Sequence, residues 1–260
     1  MNLAFSKYQG AGNDFILVDN RKKVLTNATT EQIAKLCDRR FGIGADGLML
    51  LEEAEGYDFR MIYYNSDGRE GSMCGNGGRC ITAFAAAVGA ISAQTTFIAT
   101  DGPHEAEILA DGTVRLKMID VTQVENIAAD CYLNTGSPHY VRFTDNIHTL
   151  NVYAEGRSVR YNERFAAIGT NVNFVSQKAN LLEVATYERG VEDETLACGT
   201  GVVAASMAAC LASNGTLTAF DIRTKGGKLH VDFAYHAPAH FTNVWLQGPA
   251  EFVFSGEIIV

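Results

Sequence analysis

The sequence lacks an apolar segment long enough to cross a membrane. Its most apolar stretch, Gly201–Ala212, falls well short of the roughly 20 residues that a transmembrane helix needs. The N-terminal segment also lacks the basic region followed by an apolar run that marks a secretory signal peptide. We therefore expect a cytoplasmic protein that does not act at a membrane.

The sequence is also short of positive charge. It has 21 lysine and arginine residues against 30 aspartate and glutamate residues, which gives a formal net charge of −9 at pH 7. Because an acidic surface repels a phosphate backbone, we expect no nucleic-acid partner. Hydrophobic residues make up 47% of the 260 residues and charged residues 20%, a composition typical of a globular protein of one or two domains.

Cysteine is sparse, and its spacing fits neither a zinc motif nor a disulfide scaffold. No two of the six cysteines are separated by only two residues, the spacing common in zinc sites. Cys74 and Cys80 are six residues apart, so on a helix they point to different faces. We therefore expect no bound metal and reduced thiols. Four of the cysteines are expected to serve only in packing: Cys37, Cys80, Cys131 and Cys210.

Motifs for the common organic cofactors are missing as well. Gly42–Gly47 has the glycine spacing of a dinucleotide-binding fingerprint. That fingerprint follows a strand and opens a helix, whereas here a helix is expected before it and a strand after it. No lysine has a context that distinguishes it as a pyridoxal phosphate ligand. We therefore expect a protein that works without a cofactor.

The clearest positive feature is an internal repeat. The segment Met73–Gly77 (MCGNG) resembles Ala197–Gly201 (ACGTG), 124 residues later. A repeat of this length indicates two similar domains rather than a solenoid. We predict domains over residues 1–118 and 119–248, with strands at about 249–260 returning to the first domain. The same offset aligns Gly12 with Gly136, Arg40 and Phe41 with Arg164 and Phe165, Tyr63 with Tyr187, and Glu70 with Glu194.

Local patterns predict an α+β fold in each half. An apolar helix is expected from about Asn76 to Val88 and again over Gly199–Leu211. A helix that is apolar on all sides has to be surrounded, so each half should wrap a curved, mostly antiparallel sheet around its helix. Thr29 and Gln32 have the capping-box pattern that opens a further helix, through about Arg39. Strands are predicted over Ala4–Gln9, Phe15–Asp19, Leu48–Glu52, Phe59–Asn65, Phe97–Thr100, Glu105–Leu109, Val114–Ile119, Asn171–Ser176 and Leu182–Glu188.

Cys74 and Cys198 are the strongest candidates for chemistry. Each precedes a glycine at the start of the apolar helix of its half. A helix N-terminus carries about half a positive charge and unpaired N–H groups, which stabilise a thiolate and can bind a carboxylate. If the two domains face each other about a pseudo-twofold axis, the two sulfur atoms meet across one cleft. The alternatives are buried core cysteines, a disulfide, or a thiol redox or metal-binding module.

A thiolate and a thiol on opposite faces of one carbon suit the inversion of a stereocentre. One removes a proton from its face, the other delivers a proton to the opposite face, and the roles exchange in the reverse reaction. The N–H groups of the helix starts would stabilise the carbanion through its carboxylate. Because the reaction needs a water-excluded site, we expect the domains to close over the substrate.

Five segments of the sequence resemble diaminopimelate epimerases. They occur in order and reach from residue 8 to beyond residue 200, so the resemblance covers the chain. It implies the interconversion of LL- and meso-diaminopimelate, without a cofactor, on the route to lysine and peptidoglycan. It also implies a two-domain fold with the active site in the interdomain cleft, and a homodimer. The segments are Tyr8–Ile16 (YQGAGNDFI), Arg39–Gly44 (RRFGIG), Tyr64–Gly68 (YNSDG), Met73–Cys80 (MCGNGGRC) and Tyr187–Gly201 (YERGVEDETLACGTG).

The resemblance also implies roles for individual residues. Cys74 and Cys198 become the two acid–base residues, and Glu188 would bind the reacting amino group. The reacting carboxylate would be held at the helix starts by Gly75, Asn76, Gly199 and Thr200. The rest of the substrate would be held by Asn13, Asn65, Asn171 and Arg189, since an arginine fork is the usual partner of a carboxylate.

Two positions depart from the family pattern. Members of the family often have asparagine where this chain has Ser137, and glutamine near the position of Gly47. We expect these changes to affect recognition of the distal end of the substrate, up to a shifted preference among diamino diacids. A related racemase or isomerase of another small amino acid is the alternative. His139 lies in the turn that the repeat aligns with Gly12–Phe15, so it is either a structural histidine or part of the site.

Overall fold

The computed structural model describes residues 2–71 and 73–260. The chain divides into two compact units, the first comprising Met1–Leu116 and Gly248–Val260 and the second comprising Lys117–Gln247. Each unit combines a mostly antiparallel sheet with helices, which confirms the predicted α+β fold class.

The first unit contains the helices α1 (Thr30–Cys37) and α2 (Gly75–Ala87). Strand β1 pairs antiparallel with both β2 and β18. Two neighbouring pairs, β2–β3 and β4–β6, are parallel, and β3–β4, β4–β5, β6–β7 and β7–β8 are antiparallel. With all strands numbered in chain order, those of this unit are β1 (Asn2–Gly10), β2 (Asn13–Asp19), β3 (Gly47–Glu52), β4 (Phe59–Asn65), β5 (Glu70–Gly71), β6 (Gln94–Ala99), β7 (Gly102–Ile108), β8 (Val114–Lys117) and the last strand of the chain, β18 (Glu251–Ile259).

The second unit contains the helices α3 (Val152–Arg160) and α4 (Gly199–Ala212). The pairs β11–β12 and β13–β15 are parallel, and β9–β10, β10–β11, β12–β13, β13–β14, β15–β16 and β16–β17 are antiparallel. The strands are β9 (Val124–Ile127), β10 (Asp130–Asn134), β11 (Pro138–Phe143), β12 (Asn171–Lys178), β13 (Leu181–Glu188), β14 (Asp193–Thr195), β15 (Ala219–Thr224), β16 (Gly227–His236) and β17 (His240–Gly248).

The two units share one pattern of strand pairing. The offset of 124 residues carries the parallel pairs β2–β3 and β4–β6 of the first unit onto β11–β12 and β13–β15 of the second. In each unit a short strand, β5 or β14, precedes the helix that begins after a candidate cysteine. The repeat in the sequence is therefore also a repeat of topology.

Helices α2 and α4 are the buried helices of their units. Helix α2 packs against β1, β2, β3 and β7, and α4 packs against β11, β12 and β13. Helix α4 is apolar and buried along most of its length, as the sequence predicts. Helix α2 differs from the prediction of an all-apolar helix, because its buried face includes Arg79, whose side chain is fully inaccessible.

Several predicted boundaries need correction. The helix after Thr29 forms the predicted capping box with Gln32, but it ends at Cys37 instead of Arg39. The strand that begins at Val114 ends at Lys117 instead of Ile119. Sequence analysis placed no elements at α3 or at strands β9 to β11 and β15 to β17.

No helix among the described residues is both long enough and apolar enough to span a bilayer.

Candidate active site

The first candidate cysteine begins the buried helix of the first unit. Cys74 is the N-cap of α2 and has extended backbone dihedral angles (φ −101°, ψ 136°). Gly77 and Gly78 allow the first turn to pack closely, since a Cβ atom would lie 3.3 Å from Met49 Sδ at the first position and 3.0 Å from Met73 Sδ at the second. The thiol therefore lies at the positive end of the helix dipole, where N–H groups have no partner within the helix.

Asn13 and Asn76 contact this thiol region. The Cys74 thiol donates to Asn13 Oδ1 over 3.8 Å, and Asn76 Nδ2 donates to the same oxygen over 3.5 Å. Asn13 begins β2, whereas Asn76 is the second residue of α2 and is buried. In the first unit the structure thus brings together four of the predicted site residues: Asn13, Cys74, Gly75 and Asn76.

A cluster of charged residues lies behind Asn13. Asn13 Nδ2 donates to Asp46 Oδ2, which leaves its Oδ1 for the contacts described above. Arg39 binds both Asp46 and Asp14, and the buried Lys7 binds Asp14 at 2.8 Å. Burial by itself raises the pKa of the Asp14 carboxyl, but hydrogen bonds from Arg39 and Lys7 outweigh it and hold the pKa well below its usual value. Asp14 therefore remains ionised and anchors this cluster.

Asn65 and Gly47 are opposite each other in the β3–β4 ladder. Asn65 ends β4, is exposed, and donates from Nδ2 to the Arg69 carbonyl over 3.4 Å. A Cβ atom at Gly47 would lie 2.5 Å from the ring of Tyr63. The carbonyl oxygen of Tyr64 would lie 2.6 Å from the same Cβ atom. Local packing therefore leaves no room for a side chain at position 47, which fits the glycine found there.

The second candidate cysteine begins the buried helix of the second unit. Cys198 is the N-cap of α4 (φ −114°, ψ 111°) and is 8% exposed. Its sulfur lies 3.6 Å from the hydroxyl of Thr200. Gly201 is required by packing, because a Cβ atom there would lie 2.4 Å from Asn173 Oδ1. The thiol and the Thr200 hydroxyl thus share the first turn of α4.

His139 lies beside Thr200 as a buried, neutral side chain. Asn173 Nδ2 lies 3.1 Å from His139 Nδ1, while His139 Nε2 lies 2.9 Å from Thr200 Oγ1 and 3.5 Å from Asn171 Nδ2. We assign the ring proton to Nε2, because the shorter amide contact makes Nδ1 the acceptor and leaves Nε2 to donate to Thr200. Burial, together with the positive charge of Arg189, lowers the pKa of His139 to about 3. Asn173 is itself oriented by Thr186, whose hydroxyl donates to Asn173 Oδ1 over 2.9 Å. Thr200 therefore accepts from His139 and keeps its own hydroxyl proton for a further acceptor.

Asn171, Glu188 and Arg189 lie at the ends of two paired strands. Asn171 begins β12, donates from Nδ2 to the Pro138 carbonyl over 3.1 Å, and accepts at Oδ1 from the Arg189 N–H over 2.8 Å. Glu188 ends β13, and burial raises the pKa of its carboxyl. The Arg189 side chain lies at the surface and donates to the Ile168 carbonyl over 3.2 Å. The Asn171 side chain therefore links the start of β12 to the residue after β13 by a hydrogen bond.

Ser137 lies in the turn between β10 and β11. Its carbonyl accepts from the Thr135 N–H, and the Thr135 hydroxyl donates to the Thr200 carbonyl over 2.8 Å. Gly136 in the same turn has a φ of 109°, a backbone conformation that favours glycine. In the second unit the structure thus brings together His139, Asn171, Cys198, Gly199 and Thr200, with Ser137 in the adjoining turn and Glu188 and Arg189 at the neighbouring strand end.

Sequence reasoning missed the residues that orient this machinery. The orienting residues described above are Asp46 in the first unit and Thr135, Asn173 and Thr186 in the second. Asn173 had a signal in the sequence, as a polar residue within an apolar strand. Sequence reasoning also assigned nothing to Arg79, a charged residue within the predicted apolar helix.

The remaining cysteines have a different character. Burial raises the pKa of Cys37 to about 11, that of Cys80 to about 12 and that of Cys210 to about 11. Cys131 is half-buried, and its thiol donates to Asn126 Oδ1 over 3.8 Å. Across residues 2–71 and 73–260, no group of three or more histidine, cysteine, aspartate or glutamate side chains is placed to hold a metal ion.

Comparison with known proteins identifies the family. The family model for diaminopimelate epimerase matches residues 5–124 and 131–253, one segment in each half of the chain. The chain belongs to the diaminopimelate epimerase family. The resemblance found in the five sequence segments is therefore confirmed.

Relatives within the diaminopimelate epimerase family align over nearly their whole length. The diaminopimelate epimerase of Flavobacterium psychrophilum is 49% identical over 253 residues, covering 97% of this chain and 98% of that protein. The diaminopimelate epimerase of Chlorobaculum tepidum is 43% identical over 258 residues, covering 96% and 98%.

Solved structures share the fold at low sequence identity. A phenazine biosynthesis protein of the PhzF family from Bacillus anthracis matches with a TM-score of 0.76 at 12% identity, covering 100% of both chains. A hydroxyproline epimerase from Agrobacterium vitis matches with a TM-score of 0.67 at 13% identity, covering 99% of this chain and 92% of that one. The diaminopimelate epimerase fold is therefore shared with proteins of other named activities.

Proposed function

We propose that this chain interconverts LL- and meso-diaminopimelate, on the route to lysine and peptidoglycan precursors, and that it does so without a cofactor. The observation that carries the proposal is the repeated cysteine. Each unit begins its buried helix directly after one, in a chain whose relatives at 49% and 43% identity are named diaminopimelate epimerases. The substrate is accordingly a small diamino diacid.

Cys74 and Cys198 supply the base and the acid. A thiolate removes the proton from the substrate Cα on one face, and the other thiol delivers a proton to the opposite face, which inverts the centre. The carbon–hydrogen bond that breaks and the one that forms leave the oxidation state unchanged, so no oxidant or reductant is consumed. In the reverse direction the two residues exchange roles.

The helix starts stabilise the carbanion. Proton removal places negative charge on Cα and on the adjacent carboxylate. The N–H groups of Gly75 and Asn76 in α2 and of Gly199 and Thr200 in α4 are the donors suited to that charge. The Thr200 hydroxyl is a further donor, and its contact with His139 orients it before substrate arrives.

Polar groups at the strand ends recognise the rest of the substrate. The half-buried Glu188 carboxylate is the partner for the reacting ammonium group. The exposed guanidinium of Arg189 can pair with the distal carboxylate as a planar fork. Asn13, Asn65 and Asn171 supply amide donors and acceptors.

The two departures from the family pattern act on the distal end of the substrate. Ser137 reaches less far than asparagine, but its hydroxyl still donates and accepts. At position 47 the Tyr63 ring lies where a side chain would begin. We therefore expect recognition of the distal amino-acid group to differ in detail, with the proton transfer unaffected.

A cytoplasmic homodimer is the assembly we propose. Strand β18 is paired along β1, and it exposes three consecutive apolar residues, Phe252, Val253 and Phe254, at 56%, 51% and 44%. A row of exposed apolar side chains on a strand is typical of a surface that is covered by another chain. A second copy of this chain is the occupant consistent with the family resemblance.

The reaction in deuterated water tests the function. Purified protein is incubated with LL-diaminopimelate in D₂O, without pyridoxal phosphate. The stereoisomers are then separated, and the deuterium content of each is measured by mass spectrometry. We expect meso-diaminopimelate with one deuterium at the inverted carbon, and deuterium in the product before it appears in the remaining substrate. Proline and hydroxyproline should be left unchanged. Turnover of either compound in place of diaminopimelate would contradict the assignment.

A further inference from the structure

Arg79 is a fully buried arginine on α2 that the mechanism above does not use. Its guanidinium donates from Nη2 to Asn76 Oδ1 over 2.9 Å, from Nη1 to the Gly75 carbonyl over 3.2 Å, and from Nε to the Pro249 carbonyl over 3.2 Å. These acceptors are all uncharged oxygens. Arginine remains charged in proteins, so a cation is buried at the start of α2.

Packing of the helix does not by itself require an arginine here. The offset of 124 residues carries position 79 onto Val203 of α4, which is also fully buried. Helix α4 therefore has the same position filled by an apolar side chain. Within residues 2–71 and 73–260, none of the ion pairs involves Arg79. Burial of a cation without a carboxylate partner is unfavourable, which points to a use for this side chain.

A directed chain of hydrogen bonds runs from Arg79 to Asp46. Arg79 donates to Asn76 Oδ1, Asn76 Nδ2 donates to Asn13 Oδ1, and Asn13 Nδ2 donates to Asp46 Oδ2. A guanidinium only donates hydrogen bonds and a carboxylate only accepts them. The two charged ends therefore fix the direction of every hydrogen bond. Rotating the side-chain amide of Asn76 or of Asn13 by 180° would break a hydrogen bond on each side of it.

We propose that Arg79 is a positioning residue that fixes the carboxamide of Asn76, and through it that of Asn13, beside the Cys74 sulfur. The inference rests on the proposed function, in which Cys74 transfers a proton and the start of α2 binds the reacting carboxylate. A reversed Asn76 amide would turn an oxygen toward Asn13 Oδ1. Two acceptor oxygens repel each other, so Asn13 would leave its place next to the thiol.

A double-mutant cycle separates this role from a merely structural one. Arg79→Met removes the donors and keeps an unbranched apolar chain, and Asn76→Ala removes the group on which Arg79 acts. We measure kcat and KM for both single variants and for the double variant. Arg79→Met should lower kcat/KM at least tenfold in the wild-type background and less than threefold in the Asn76→Ala background. Equal factors in the two backgrounds would overturn the proposal.

Two further variants give the cycle its controls. Thr82 is buried on the same helix and its hydroxyl donates to the Gly78 carbonyl, outside the chain of bonds from Arg79. Thr82→Val should therefore change kcat/KM less than twofold. Arg79→Lys keeps the charge but loses the planar fork, so it should fall between wild type and Arg79→Met.

A measurement on the unmodified protein covers the case in which Arg79→Met does not fold. Hydrogen exchange of the Asn76 side-chain amide is followed by ¹⁵N NMR, with the signal assigned through Asn76→Ala and the exposed Asn214 as reference. The Asn76 amide should exchange at least tenfold more slowly than that of Asn214, and equal rates would refute the proposal. This measurement does not depend on enzymatic activity. If the proposed function is wrong, the wild-type protein will be inactive on diaminopimelate; if the positioning proposal is wrong, the Asn76 amide will exchange as fast as that of Asn214. The two failures are therefore distinguishable.

Discussion

At the residue scale, His139 shows how the site sets a protonation state. Burial lowers its pKa to about 3, and the donor at Nδ1 fixes the tautomer that donates to Thr200. The sequence could place His139 in a turn aligned by the repeat. It could not give the charge of the ring, because the burial and the Asn173 donor come from β12, more than 30 residues away.

This protonation state predicts how stability depends on pH. An unfolded histidine takes up a proton near pH 6.5, whereas folded His139 does so only near pH 3, so the unfolded chain binds more protons between these values. The contribution of His139 to stability is therefore lost as pH falls from about 6.5 toward 3. Between pH 7 and pH 5 this amounts to about 2 kcal/mol. His139→Gln should remove that part of the pH dependence of the free energy of unfolding, measured by urea denaturation at several pH values.

Gln123→Asn supplies the control for this measurement, because it changes an exposed side chain that does not titrate. The free energy of unfolding of this variant should depend on pH as that of wild type does. If the free energies of unfolding of His139→Gln and wild type fall in parallel between pH 7 and pH 5, the assignment of His139 as a neutral side chain in the folded protein is wrong.

At the element scale, α3 is the helix that sequence analysis missed. Its buried residues are only Val152, Gly156 and Val159, so the apolar stripe is narrow and a glycine interrupts it. Such a pattern carries little periodic signal. The internal repeat could have predicted α3, since the offset of 124 residues carries α1 (Thr30–Cys37) onto residues 154–161.

The glycine in α3 gives a prediction about packing. Alanine normally stabilises a helix interior relative to glycine by about 1 kcal/mol. At Gly156 a Cβ atom would lie 2.3 Å from Tyr187 Cβ on β13. Gly156→Ala should therefore destabilise the protein by roughly 1–3 kcal/mol, measured by thermal or chemical unfolding. Ser158→Ala, at an exposed position of the same helix, should change stability by less than about 0.5 kcal/mol. A more stable Gly156→Ala protein would contradict the close contact between α3 and β13.

Helices α2 and α4 show what local sequence could and could not predict. Their positions and their cysteine N-caps followed from apolar runs preceded by Cys-Gly, because both signals are local in the sequence. The hydrogen bonds of Asn13 with Asp46 and of His139 with Asn173 join residues more than 30 positions apart. Such contacts depend on strand register, and a single sequence does not specify register.

At the scale of the whole molecule, duplication explains the architecture and permits the asymmetry within it. The two units repeat the order of strands and the parallel pairs, yet they orient their helix starts differently. The first unit uses a buried arginine, Arg79, and the second uses a neutral histidine, His139. The repeat predicted two similar domains, because the two halves match at a constant offset in the sequence. It could not predict that Arg79 and His139 orient the two helix starts, since Arg79 aligns with Val203.

The central claim is that both Cys74 and Cys198 transfer protons, and the turnover of alanine variants tests it most directly. Cys74→Ala and Cys198→Ala should each lower kcat for LL-diaminopimelate about 10³-fold, since general acid–base groups contribute about 10²–10⁴. Cys80→Ala is the matched control: this buried cysteine on α2, whose pKa is raised to about 12, should keep kcat within threefold of wild type. Near-normal turnover by either Cys74→Ala or Cys198→Ala would contradict a mechanism that needs both thiols.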